Sequence, residues 1–392
     1  MSAGGNHTVA IVKGSECYQT LQESFATVFN EINELIQDKQ PLTINNSSFN
    51  LEFFLGGDYK FLLLMLGMKG ATSIYACLWC KIAKTNRWNM EFDLEHYNKS
   101  PLKRTLQEVI TLGRKKGNTE KYSCEHEPLL KVDLDHVVLD ELHLLLHIMD
   151  VLINNLVRET VEWDKKENFN KRKANQNDTH LKNLQTSIRS CGISFQIWEK
   201  TNADGKGSGM YNFTSLLGAD KKKLLAELPE KYSNCIHPET SQTVIKIWKD
   251  FHELYQIITS ENPSIPTYLT CFDKAKAWIN LFTSLRDKLI GYIKADVTPY
   301  MHALVYHVPL FMKKYTSVKP FTGQGVEKNN DMARNVVLHK SNKRTPAADI
   351  LQLEFQQWQL RERECSKRKY TKKHDAYWET EIKEKRRKES EK

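Results

Sequence analysis

At 392 residues the chain is long enough for two or three domains and a sizeable core, and 15 Tyr, 16 Phe and 8 Trp exclude global disorder. No run of eighteen apolar residues occurs, the densest (FLLLMLGM, 61–68) being too short to cross a bilayer, and the N-terminus shows no charged segment followed by an apolar one. We therefore expect a soluble, intracellular chain with reduced thiols and no membrane partner, whose net charge of 57 − 48 = +9 suits an anionic partner such as nucleic acid without requiring one.

In chain order, TVAIVK (8–13) alternates and is β-branched, which predicts a strand. Residues 16–37 place Leu21, Phe25, Val28, Phe29, Ile32 and Ile36 at helical spacing, predicting one amphipathic helix. The run LEFFLGGD (51–58) reads as a strand loosened at its end by Gly56 and Gly57, with a helix starting at YKFLLLMLGM. Strand, helix, strand, helix suggests an α/β layer, with Asp58 at a strand's carboxyl end, where such layers place functional groups. Residues 82–135 are polar and basic and predict helices joined by exposed loops. The apolar run 137–157 predicts a buried helix, and the Asn-rich 164–185 a surface helix or loop. KTNADGKGSG (200–209) reads as a plain loop, and three further helices follow, the last two separated by Pro263 and Pro266. Residues 361–392, with SKRKYTKK and KEKRRK, read as a solvated basic tail that suits a nuclear import signal or DNA-phosphate contact.

Eight cysteines lie at irregular spacing with one close pair, Cys77-x2-Cys80, which reads as a metal knuckle. Structural zinc takes four N or S ligands, and His302-x4-His307 supplies a complementary pair. Pro309 disfavours helix at Val308, so His307 is predicted at a helix end where its spacing from His302 relaxes. On spacing alone, a chance CxxC beside two core histidines stays open. Cys124-x-His126, Cys235-x-His237 and His143/His147 rank below this set as ligands. Asp58 and Glu327 are candidate catalytic carboxylates, since two-metal phosphodiester cleavage needs acidic oxygens from separate elements. By composition alone they read as a turn aspartate and a solvated helical glutamate.

From Asp58 onward the chain resembles the catalytic core of the V(D)J recombinase large subunit and its RAG-like and Transib transposase relatives. The resemblance rests on Asp58 ahead of SIYACLWC, on PYMHALVYHVPLF, on Glu327 within Gly325-Val-Glu327-x-x-Asn330, and on Asp140-Glu-Leu-His143. These segments are colinear over roughly residues 58–345. The resemblance implies an α/β plus α fold: an incomplete RNase H-like layer interrupted by a long, mainly helical, zinc-stapled insertion. Its parts would be a partial layer (1–76), the zinc-binding insertion (77–310), a closing helix bearing Glu327 (311–350) and the basic tail (351–392).

Asp58 and Glu327 would be the second and third members of a DDE triad holding Mg²⁺ or Mn²⁺, with zinc on Cys77, Cys80, His302 and His307. The implied activity is metal-dependent DNA nicking and strand transfer in the nucleus, by a homodimer and with an accessory subunit as a possible partner. The family's first aspartate lies on an earlier strand, and only Asp38 precedes Asp58 here, so we expect the chain to begin after that strand and to be inactive as written. The alternatives are a non-enzymatic DNA- or protein-binding remnant of a transposase and an unrelated helical scaffold.

Overall fold

A computed structural model describes residues 7–38, 40–117, 120–172, 175–231, 235–260, 267–341 and 343–362, with Glu384 and Arg387. The fold is mixed but mostly helical, 57% helix and 8% strand, with small sheets. Val12–Asn329 form one compact unit; His7–Ile11 and the described residues from Asn330 onward form the other.

In the first unit, α1 (Tyr18–Ser24) and α2 (Ala26–Asp38) replace the single predicted helix, dividing at Phe25. Their inner face is fastened by Tyr18 Oη donating to Glu127 O (2.7 Å) and by Asn33, which bonds Leu129 O (2.9 Å) and the Lys131 N–H (2.8 Å). A small exposed hairpin, β1 (Leu42–Ile44) and β2 (Ser47–Phe49), follows. The strand before Asp58 is only Leu55–Gly57, β3, because its parallel partner β4 (Val137–Leu139) is equally short. Each of these strands ends in an aspartate that caps a helix. Asp58 accepts from Phe61 N (2.7 Å) at the start of α3 (Tyr59–Met65), and Asp140 accepts from Leu142 N (3.2 Å) at the start of α5 (Glu141–Asn168). Since Gly57 pairs with Leu139, the two aspartates follow at the same level of the sheet.

Between the two strands lies the polar stretch 82–135. Its described residues form only one α-helix, α4 (Leu106–Arg114), and otherwise short 3₁₀ turns and irregular chain. Prediction overestimated helix there because much of the backbone is satisfied by turn and cross-chain hydrogen bonds, such as Glu125 N and His126 N to Gly67 O and Leu129 N to Met65 O, rather than by helical ones. Gly67 permits one close crossing: at φ +65 its missing Cβ would sit 2.2 Å from His126 O.

The apolar run 137–157 begins as β4 and continues as α5, 28 residues long and buried along most of its length. Against α5 pack α6 (Thr179–Ser190), α7 (Gly218–Glu227), α8 (Pro238–Ile258) and α10 (Pro299–Tyr306). Asp164 near the end of α5 accepts from His180 N and Leu181 N (2.9 Å each), capping α6 from outside. The Asn-rich stretch is thus the end of α5, a connection and the start of α6. Phe251 of α8 meets Trp278 of α9 (Thr267–Thr283), which in turn contacts Phe282, and these three and Trp248 of α8 are fully buried. Pro263 and Pro266 lie outside the described residues.

The plain loop predicted at 200–209 is instead the tip of an antiparallel hairpin, β5 (Ile197–Thr201) and β6 (Gly207–Phe213). The turn, with Gly205 at φ +77, carries the Asn and Asp of the loop signal, while Gly207 and Gly209 lie within β6. Ile197, Trp198, Tyr211 and Phe213 on its flanks supply the β-prone pairs that the polar tip obscured.

TVAIVK, of which only 8–11 belong to the second unit, does not form a strand: no neighbouring strand among the described residues pairs with it, and within the second unit Thr8 N donates instead to Glu354 Oε1 (2.7 Å) of α13 (Pro346–Glu362). The basic tail beyond Glu362 lies outside the described residues, apart from Glu384 and Arg387.

Candidate metal centre and acidic cluster

α10 ends at His307, which also opens α11 (Val308–Tyr315) with Pro309 in its first turn. This break turns His302 and His307 to the same side of the chain. There Cys80 Sγ lies 3.3 Å from His302 Nε2, and Cys77 Sγ lies 3.3 Å from His307 Nε2. All four ligand atoms fall within 4.8 Å of one another, and the site is buried. A tetrahedral zinc with two thiolates and two imidazoles has ligand–ligand edges of roughly 3.4–3.8 Å. The cluster is compatible with zinc.

Its electrostatics also call for a cation. Burial raises both thiols. Hydrogen bonding to Cys80 and the charge of His307 nonetheless bring Cys77 well below the ordinary range, while burial and the neighbouring Cys77 push Cys80 well above it. Two thiolates side by side in a dry site cannot both ionise unless a positive ion sits between them. Burial lowers His302 and keeps it neutral, the form that ligates.

Three further groups fix this centre, and sequence reading missed all of them. Arg104, 1% exposed, donates from Nε to Cys77 O and Cys80 O (2.9 and 3.1 Å) and from Nη2 to Tyr75 O and Tyr122 O (2.9 and 2.8 Å). It gathers the carbonyls of the knuckle around one guanidinium. Trp79, between the cysteines, donates to Val137 O (3.1 Å) and so ties the knuckle to β4. Tyr59, next to Asp58, is held at both ends: its N–H donates to Tyr300 Oη (3.3 Å) on α10, and its hydroxyl to Ala76 O (2.9 Å) beside Cys77. Nothing in a single sequence separates Arg104 from its neighbour Lys103.

The rival ligand sets do not form a metal site among the described residues. Cys124 is buried 3.6 Å from Arg104 Nη1, and His126 stacks on Tyr18. Burial pushes Cys235 up to about 11, and His237 caps α8. His147 stacks on Tyr300 with ring centroids 4.4 Å apart.

His143 proves to be the hub of an acidic cluster. Its Nδ1 bonds Asp140 Oδ2 (2.6 Å), and its Nε2 lies 3.7 Å from Glu327 Oε1 in the first turn of α12 (Gln324–Asn335). Burial alone would lower the imidazole; the Asp140 hydrogen bond and the charges of Asp140, Asp58 and Glu327 raise it instead. Glu327, far away in sequence, thus lies against this ring, and Asp58 follows β3 level with the Asp140 that holds it. Asp58 and Glu327 do not belong to a group of three or more ligand atoms at metal-binding spacing among the described residues, so Mg²⁺ or Mn²⁺ has no preformed cage here.

Burial likewise opposes ionisation of Asp140, but hydrogen bonds, chiefly from His143, hold it at about 2. Burial and Asp140 push the adjacent Glu141 up to about 7. The buried Glu141 Oε2 has no hydrogen-bond partner among the described residues.

Beside Asp58 opens a groove of about 690 Å³, bordered by Lys60, Lys84, Arg158, Asp150 and Tyr300. Lys60 pairs with Glu16 and Asp150 with Lys221, while Lys84 and Arg158 are exposed and form no ion pair among the described residues.

Neither a protein-family model nor a curated protein matches the chain.

Proposed function

We propose that the chain is the core of a RAG-like DDE transposase, an RNase H-like layer interrupted by a zinc-stapled helical insertion, acting on DNA. The single observation that carries this reading is that Asp58 follows β3 level with Asp140 at the end of β4, and Asp140 holds His143 with its other nitrogen 3.7 Å from Glu327 on a separate helix. It is strengthened by the Cys/His cluster, whose partners are 222 and 230 residues apart and bracket the intervening helices. In this reading Asp58 and Glu327 hold Mg²⁺ or Mn²⁺, which when bound polarises the phosphodiester and lowers the pKa of an attacking water. Asp58 and Glu327 supply two carboxylates. The triad's first aspartate is not among the described residues: Asp38 ends α2 and is exposed. Asp140, although level with Asp58, has both oxygens engaged.

The test is Mn²⁺-dependent nicking of duplex DNA by this chain joined to an upstream strand bearing an aspartate. Nicking that is lost in Glu327→Gln while DNA binding persists is the expected result. DNA that is bound but never nicked would leave the second reading, a DNA-binding remnant, which is favoured by the absence of a preformed divalent cage among the described residues.

Among the described residues, Lys84 and Arg158 are the groove's exposed cations without an ion pair, so DNA phosphates are expected there. Replacing both with Ala should weaken binding to any duplex sequence. The slope of log K against log salt should fall by about 0.9 for each phosphate that is no longer neutralised. An unchanged slope would place the DNA elsewhere.

A further inference from the structure

The geometry points to Asp140 and Glu141 as positioning residues for Glu327: together they clamp the turn Thr322–Gly323–Gln324 from which α12 departs. This inference rests on the proposed role of Glu327 in holding a divalent ion.

The hydrogen bonds are specific. Asp140 Oδ1 accepts from Gly323 N (2.9 Å), while its other oxygen holds His143, which reaches Glu327. Glu141 Oε1 accepts from Thr322 Oγ1 (2.6 Å) and from Gln324 Nε2 (3.2 Å). Two adjacent side chains at the head of α5 thus take three donors from three consecutive residues. The third of these residues opens α12, and its fourth residue is Glu327. The approach leaves no spare room, because a Cβ on Gly323 would lie 2.6 Å from Asp140 Oδ2 and 3.0 Å from its Cγ.

The need for a clamp is physical. Glu327 sits in the first turn of α12 with its side chain 46% exposed. The first turn of a helix lacks intrahelical partners for its N–H groups and frays unless something outside supplies them. Asp140 supplies one directly, and its charge suits a helix N-terminus. A carboxylate meant to share an ion with Asp58 must be held within a fraction of an ångström. The clamp provides this from the segment that also follows β4, so the Asp58 and Glu327 supports share one short parallel pair.

The experiment is hydrogen exchange by mass spectrometry on the full chain, together with Mn²⁺ affinity from electron paramagnetic resonance. Asp140→Ala and Gly323→Ala are each expected to speed exchange of the amides at 323–327 at least tenfold, with α8 and α9 unchanged. Both should weaken Mn²⁺ binding as far as Glu327→Gln does. Glu141→Gln keeps an acceptor for Thr322 and should behave as wild type, whereas Glu141→Ala should resemble Asp140→Ala. Unchanged exchange at 323–327 in Asp140→Ala and Gly323→Ala overturns the clamp. If the wild type binds no Mn²⁺, the function of Glu327 falls, and the exchange data still decide the clamp.

Discussion

Stripping the metal from Cys77, Cys80, His302 and His307 is expected to unfold most of the first unit rather than loosen one site. The chain should purify with one zinc, and Cys77→Ser or His307→Ala should lose it. Joining residues 230 positions apart removes chain entropy from the unfolded state, worth about 5 kcal/mol by the loop-closure relation. That is comparable with the whole stability of an ordinary domain, roughly 5–15 kcal/mol. Metal analysis alongside thermal denaturation, with and without a chelator, checks this. A chain that purifies without metal and melts at the same temperature with the chelator would show that the four residues form only a polar core cluster. Loss of zinc should also disturb Asp58, because Tyr59 is strung between Ala76, beside the knuckle, and Tyr300, two residues from His302.

The second large effect belongs to Arg104. Arg104→Met keeps the apolar stem but leaves the carbonyls of Tyr75, Cys77, Cys80 and Tyr122 without their buried donor. A cost of about 3–5 kcal/mol is expected, of the size seen when one partner of a buried charged network is removed. Arg104→Lys should recover little of it, since a single ammonium cannot span four carbonyls arranged around a planar fork. Urea denaturation measures the loss, and the half-life of zinc release measures how far the knuckle has opened. A variant with unchanged midpoint and zinc release would mean that water replaces the guanidinium at no cost.

The zinc-compatible cluster was legible because each half carries its own short-range signature: two cysteines three apart, and two histidines ahead of a proline, although Pro309 begins a new helix that includes Val308 rather than ending helix there. What joins the halves was not, since no spacing rule connects residues more than 200 positions apart. Arg104 shows the opposite case. Its role depends wholly on carbonyl oxygens, which every residue has, so the sequence holds no trace of it. The 197–213 hairpin was misread because its tip has strong turn chemistry while its strands mix aromatic residues with Gly, Asn, Glu and Lys. TVAIVK was misread because β-propensity describes a half-buried pleated surface, and none of the described strands offers it one. His143 was weighed as a ligand beside His147 and as the end of the Asp140-Glu-Leu-His143 segment, never as a link to Glu327. In the folded chain its two nitrogens face opposite elements, Asp140 on one side and Glu327 on the other.

The separation of the two ligand pairs also sets a timetable for synthesis. At about 5–20 residues per second, roughly 10–50 s pass between the ribosome adding Cys77 and adding His307. Throughout that interval the nascent chain carries two thiols with no imidazoles to complete their site. Until then the thiols are open to oxidants and to metals that tolerate fewer ligands. Capture of zinc at this site would therefore wait until His307 has been made, and the yield of correctly metallated protein should depend on the redox state and metal supply of the cell during elongation.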